Sequence, residues 1–192
     1  MGAAPVARMS VEEYLALDRD AEANSEYHDG EVFEVESATY AHARIGANAG
    51  RRLGERLDGK PCCVLNPLRV QISSSKFVYP DLVVICGKPV FASKRSENLT
   101  NPKVIVEILS PSTGEYNYGR KFSLYGTLPS FEEYVLIAQD EPRVDVFRKG
   151  DGNHWIMGRS AGLESVAKLE SLGIELPLAE IYEGVEFQEL EP

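Results

Sequence analysis

The stretch Val104-Ile105-Val106-Glu107-Ile108-Leu109-Ser110-Pro111-Ser112-Thr113 decides how this chain is read. Val104 to Leu109 is a short, β-branched apolar run closed by turn residues, which is the pattern of a buried strand. Glu107 sits inside it. Burying an ionised carboxylate is costly unless it is paired or bound to a cation, so the run predicts a charge partner for Glu107. A second apolar run, Asp81-Leu82-Val83-Val84-Ile85-Cys86, opens on an acid directly after Pro80. The two acids are 26 positions apart (107 − 81), enough for their strands to lie side by side with a loop between.

Two such carboxylates can converge on one hard cation. Mg²⁺ takes oxygen ligands and is typically held by one or two carboxylates with waters and a substrate phosphate. An ion held that way activates water and neutralises charge on a phosphodiester. The competing structural reading has Asp81 capping a turn and Glu107 paired with a buried arginine. Lys121 tips the balance, because it lies on a predicted helix just after the Glu107 strand, on the face of Tyr118 and Tyr125. Its ammonium can serve a phosphate or an attacking water.

Outward from this centre, Ser10-Val11-Glu12-Glu13 is a capping box that opens a short helix through Leu17. Asp29-Gly30 between two short runs predicts a two-residue hairpin, after which Glu31, Phe33 and Val35 share one strand face. Glu31 is thereby a candidate accessory acid. A long helix is predicted over Tyr40 to Leu57, with Ile45, Ala49, Leu53 and Leu57 as its apolar stripe. His42 stands at its start, where it can face the same cleft or serve the helix terminus. Arg44, Arg51, Arg52 and Arg56 read as a solvated helix face paired with Glu55.

Cys62 to Leu65 and Leu68 to Ile72 are predicted strands, and Gly87 to Pro102 is a long polar loop, a feature usually functional or mobile. Lys88, Lys94 and Arg95 on that loop are candidate nucleic-acid contacts. Tyr116 to Leu128 reads as a helix, Tyr134 to Ala138 and Val144 to Arg148 as paired strands, His154 to Gly158 as a further strand, and Leu176 to Val185 as a closing helix. Trp155 reads as strand packing. The order predicts an α/β (mixed α+β) protein, a mixed sheet with helices on both faces. Residues 1–9 read as a disordered lead-in and 10–192 as one domain.

The totals narrow the function. With 43% hydrophobic and 26% charged residues the chain reads as a soluble protein, and no run approaches a membrane span of about 20 residues. Its first residues lack the apolar region of a signal peptide. Cys62, Cys63 and Cys86 are odd in number and lack metal spacing, which predicts reduced thiols in a cytoplasmic protein. A net charge of −10 argues against tight, metal-free, non-specific binding to nucleic acid. It leaves open a nuclease whose bound cations change the local sign. The motifs of serine hydrolases, P-loop NTPases and zinc proteases are missing, and no dinucleotide cofactor is implied.

The segments Tyr79-Pro80-Asp81, Val106-Glu107-Ile108-Leu109-Ser110-Pro111-Ser112-Thr113 and Gly119-Arg120-Lys121-Phe122-Ser123-Leu124-Tyr125 together resemble the Uma-two family. This is a group of restriction endonucleases within the PD-(D/E)xK nuclease superfamily. The resemblance extends through Glu26-Tyr27-His28-Asp29-Gly30-Glu31, Ala41-His42-Ala43 and Glu133-Tyr134-Val135-Leu136-Ile137, and covers roughly Ser10 to Phe187. It implies the restriction-endonuclease-like fold and a metal-dependent endonuclease acting on nucleic acid, DNA foremost, with Mg²⁺ or Mn²⁺. Asp81 and Glu107 would be metal ligands, with Glu31 as an accessory one and His42 as a neighbour.

The superfamily's usual lysine lies two residues after that glutamate, where this chain has Leu109. The family resembled supplies its lysine from the next helix, and Lys121 matches. At Asn117 related sequences tend to carry Asp, which puts an accessory role there in doubt. A catalytically inactive binding module on the same fold is the competing expectation, and an unpaired sheet edge suggests a homodimer in either case.

Overall fold

The computed structural model describes residues 8–35, 38–95, 97–110, 114–152 and 154–187. Helix α1 (Val11–Asp20) starts at the expected capping box, with the Ser10 backbone N–H donating to Glu13 at 2.8 Å and the Glu13 N–H returning to Ser10 Oγ at 3.3 Å. Strands β1 (Ser25–His28) and β2 (Glu31–Glu34) form the expected hairpin. Asp29 and Gly30 both take positive φ (52° and 103°), which a type I′ turn requires. Of the expected lead-in, residues 1–7 lie outside the described residues. Met9 is tied down, its N–H donating to the Gly30 carbonyl at 3.0 Å.

Helix α2 (Tyr40–Leu57) has the predicted bounds and is capped by Thr39, whose hydroxyl accepts from the His42 N–H at 3.1 Å. Ile45, Ala49, Leu53 and Leu57 are buried along its inner stripe. Strands β3 (Cys62–Leu65), β4 (Val70–Ser73), β5 (Lys76–Val78) and β6 (Leu82–Cys86) follow, β5 being a strand that the alternation did not reveal. Strand β7 (Val104–Leu109) is buried at all six positions.

After β7 comes a helical run made of α3 (Gly114–Tyr116), a π turn over Asn117–Lys121, and α4 (Phe122–Tyr125). It begins and ends earlier than the predicted Tyr116 to Leu128. The chain closes with β8 (Glu133–Ala138), β9 (Arg143–Lys149), β10 (Trp155–Ala161), a hairpin of β11 (Val166–Leu169) and β12 (Ile174–Pro177), and α5 (Leu178–Ile181). Of the predicted tail helix, Leu176 and Pro177 belong to the end of β12, and only Leu178–Ile181 is helical, a single turn.

The main sheet has the order β10-β9-β8-β7-β6-β3. Only β7 and β8 run parallel in it, and the helical run between them provides the crossover. The other sheets are β2-β1-β5-β4 and β11-β12. This is the mixed architecture expected, and its core follows residue parity. Leu82, Val84, Val104, Val106 and Ile108 pack on α2, whereas Val83, Ile85, Ile105 and Leu109 pack beneath Tyr125, Leu128 and Phe131. Glu107 has the parity of Ile105 and Leu109, so it points to the face that carries the helical run.

Two expectations change. Cys62 and Cys86 are not free thiols: they face each other across β3 and β6, with Cα atoms 3.9 Å apart, and form a disulfide. The inference of a reducing compartment from the cysteines loses its basis. The Gly87 to Pro102 loop is also less loose than its composition suggested. Leu99 bridges to Val70, and the Arg69 guanidinium donates to Asn98 at 2.7 Å. No helix among the described residues is long and apolar enough to cross a membrane.

Candidate active site

Six elements, among them β2 through Phe33 and Glu34, meet at one cavity of about 630 Å³. Strand β1 contributes Glu26 and His28, which alternate with Tyr27 and so share a face. The Pro80-Asp81 step delivers Asp81 at the entry of β6. Strand β7 supplies Glu107, and the helical run supplies Tyr116, Asn117, Arg120 and Lys121. The start of α2 adds Thr39 and His42.

The π turn explains how the lysine arrives. The Phe122 N–H reaches the Asn117 carbonyl, an i→i+5 bond that widens the helix by one residue. Asn117, Lys121 and Tyr125 are all buried against the sheet. Lys121 Nζ lies 2.9 Å from Glu107 Oε1, 2.9 Å from Glu26 Oε1 and 3.3 Å from the Tyr79 carbonyl. The same Glu107 oxygen accepts from the Tyr125 hydroxyl at 2.8 Å. Asp81 Oδ1 is 2.9 Å from His42 Nε2, and its Oδ2 accepts from the Ile108 N–H at 2.7 Å. That last bond ties Asp81 to the residue next to Glu107.

Charge is unevenly shared. Burial pushes the Glu107 carboxyl up to about 7, with Lys121 opposing the rise and Asp81 adding to it. Burial also disfavours an ionised Glu26, yet Lys121, His28 and the Tyr79 N–H together hold it at about 2. Burial likewise works against charge on Lys121, but Glu107 and Glu26 keep it an ammonium well beyond the usual lysine range. One ammonium thus serves two carboxylates. The His42 imidazole is desolvated, but the bond to Asp81 and the charges of Asp81 and Glu107 raise its proton affinity overall. Tyr116 donates to Glu26 Oε2 at 2.9 Å and lies 3.0 Å from His28 Nε2, while His28 Nδ1 is buried without a partner among the described residues.

Asp81, Glu107, Lys121, His42 and Asn117 are therefore brought together as their sequence positions suggested. Glu31 is not. It is exposed on β2 and does not line the cavity. The expected face was right, since the register pairs Glu26 with Phe33 and His28 with Glu31, but Glu31 falls at the turn end. Glu26 takes the inward position that was assigned to Glu31. The signal for it was the Glu26/His28 alternation before the Asp-Gly turn.

Lys88, Lys94 and Arg95 are exposed and do not line the cavity either. Strands β6 and β7 run antiparallel, so their connecting loop leaves at the end of β6 opposite Asp81. The arginines of α2 are engaged elsewhere. Arg51 and Arg52 pair with Glu55 and Glu183, Arg56 pairs with Glu180, and Arg44 donates to the Glu183 carbonyl. Trp155 packs on Phe122 and Phe131, with ring centroids at 5.0 and 5.3 Å.

Among the described residues no three His, Cys, Asp or Glu side chains form a ready-made metal cluster. The donor set suits a different arrangement. Asp81 and Glu107 offer hard oxygen donors that could hold one ion, with water and phosphate filling its further positions, which is how Mg²⁺ is usually bound. Four carboxylates, Glu26, Glu34, Asp81 and Glu107, against Lys121 and Arg120 also leave the cavity short of positive charge, which a divalent cation would supply.

Comparison with known proteins adds four observations. The family model Uma2, described as "Putative restriction endonuclease", matches residues 11–179. An uncharacterized protein of Synechocystis sp. (strain ATCC 27184 / PCC 6803 / Kazusa), slr1290, is 30% identical over 186 residues, covering 96% of each chain. A second from the same organism, sll1609, is 31% identical over 162 residues, covering 81% of this chain and 92% of that one. Among solved structures, "a putative nuclease belonging to DUF820" from Anabaena variabilis ATCC 29413 superposes with a TM-score of 0.72. It is 18% identical and covers 91% of this chain and 97% of its own, a likeness of fold.

Proposed function

The chain belongs to the Uma2 family, and from that premise we propose that it is a metal-dependent endonuclease hydrolysing nucleic-acid phosphodiester bonds, DNA foremost. The observation that carries this reading is the Asp81–Glu107–Lys121 constellation, where a buried carboxyl near 7 and a permanently charged ammonium share one oxygen contact at 2.9 Å. Asp81 and Glu107 would hold Mg²⁺ or Mn²⁺. Such an ion supplies Lewis acidity toward the phosphate and a bound water that ionises near neutral pH.

The chain's own groups have separate tasks. Lys121 stays protonated, so it acts as a fixed positive charge toward the anionic transition state and not as a base. Glu26 keeps that ammonium charged and aimed. His42 and the Ile108 N–H fix the two oxygens of Asp81, a preorganisation that outer partners of metal ligands commonly provide.

The test is calorimetric Mn²⁺ titration together with cleavage of labelled DNA and RNA. Binding near one ion per chain, lost in Glu107→Gln, with cleavage lost in Asp81→Ala, supports the reading. Cleavage by Asp81→Ala at the wild-type rate would sink it. A non-catalytic, homodimeric module on the same fold is the second reading, favoured by the full occupation of both Asp81 oxygens within the protein. It predicts no Mn²⁺ binding by the wild type.

A further inference from the structure

The lip of the cavity differs from its floor. Phe33 lines it yet is 41% exposed on the outer strand of the hairpin. The Arg120 guanidinium stands over that ring, 6.0 Å from its centroid, and His28 flanks it at 5.4 Å. Arg120 is exposed, and among the described residues no salt bridge holds it. Flat apolar surface beside a free guanidinium is the pairing by which proteins hold unpaired bases and their phosphates.

The surroundings argue against a double helix. Duplex binding normally recruits roughly 6–10 phosphate contacts from Lys and Arg. Here three of the four arginines of α2 are paired with Glu55, Glu180 and Glu183, Arg44 donates to the Glu183 carbonyl, and the net charge is −10. Glu107 lies at the cavity floor, only 3% exposed. A void of about 630 Å³ is in the range of small-ligand sites, roughly 300–1,000 Å³. It admits a nucleotide or two of a flexible strand. A duplex, whose major and minor grooves alone are about 8.5 and 7.5 Å deep, is too thick to enter it.

We infer that this site takes a single, unpaired nucleic-acid strand, with a base seated on the Phe33–Arg120 platform and the following phosphate carried down to Asp81 and Glu107. The inference rests on the nuclease reading above and narrows its substrate. Few phosphates are contacted, so salt should weaken binding only gently, with a log–log slope near −1.

The experiment uses the full chain with Mn²⁺ and three fluorescein-labelled substrates: a single strand, its duplex, and a duplex with a single-stranded overhang. Cleavage mapping is run beside fluorescence anisotropy. The expected result is cutting confined to unpaired regions and at least about ten-fold faster on the strand than on the duplex. Phe33→Leu should cost about ten-fold on the strand, mainly in KM, because base stacking needs a flat ring. Phe33→Trp should restore it.

Duplex cut as fast as the strand, or an unchanged Phe33→Leu, overturns the inference while leaving the nuclease reading intact. Phe33-dependent strand binding without any cleavage does the reverse. Neither binding nor cleavage removes both.

Discussion

Replacing Glu107 by Gln should make the protein more stable, and by an amount that depends on pH. The carboxyl lies 3% exposed within β7, and its lift from 4.5 to about 7 corresponds to roughly 3 kcal/mol. The folded state holds that proton more tightly than the unfolded chain does. Stability is therefore fully present below about 4.5 and is lost as the pH rises toward about 7. Gln keeps the shape and removes the titration. At pH 5 the two proteins should differ little; at pH 8 the variant should be ahead by about 2–3 kcal/mol, or some 5–10 °C in Tm for a domain of this length.

The assay is thermal and urea unfolding from pH 5 to 8 in EDTA, with His42 common to both proteins. Adding Mn²⁺ should bring the wild type back toward the variant, because the ion supplies the missing countercharge. Parallel stability curves across that range would refute the picture of a desolvated acid short of positive charge.

Lys121→Met should act in the opposite sense. It strands Glu26 and Glu107 without their shared ammonium, a loss of about 3–5 kcal/mol at pH 7.5 for a broken buried pair, read by urea unfolding, with cleavage abolished. Gly46→Ala should leave stability within about 1 kcal/mol, since the helix gain offsets local crowding. It should still slow cleavage, because the new Cβ would come within 3.2 Å of Ile108 Cδ1 and the Ile108 N–H orients Asp81. Cys62→Ser should cost about 3 kcal/mol in the chain-entropy account, given a 24-residue separation; reductant should lower the Tm of the wild type and not of the variant. Asp145 is fully buried between Arg143 and Arg159. Burial alone would raise its carboxyl, but the bonds to Arg159 and Tyr118 and the charges of both arginines hold it below the usual 3.8. Its stabilisation is present above that value and fades as the pH falls below it, so Asp145→Asn should flatten the acid limb of the unfolding curve.

What could be read from the sequence was local. The four-residue spacing of Ile45, Ala49, Leu53 and Leu57 marked α2, whose predicted bounds match the observed ones. The Asp29-Gly30 step defined the hairpin, because few residue pairs tolerate two positive φ angles. Glu107 stood out because a charge in a β-branched run needs explaining. What escaped depends on register between distant segments. Cys62 meets Cys86 only because β3 pairs with β6 in one particular alignment. Glu26 replaces Glu31 as the inward acid because of where along the strand the cavity begins. Strand β5 is three residues long, too short to show alternation.

The π turn at Asn117–Lys121 gives the site two different clocks. Glu107 belongs to β7 and Asp81 stands at the entry of β6, two strands each hydrogen-bonded on both sides, and amides of such strands exchange with solvent only through global opening. Lys121 hangs on three helical pieces of three, five and four residues, which an isolated chain would not sustain. Hydrogen exchange should find residues 114–121 opening far more often than β7, so the anion-stabilising charge departs and returns while the acid pair stands still. Occupancy of the cavity, by closing that gap in protection, becomes measurable at backbone amides that touch no ligand.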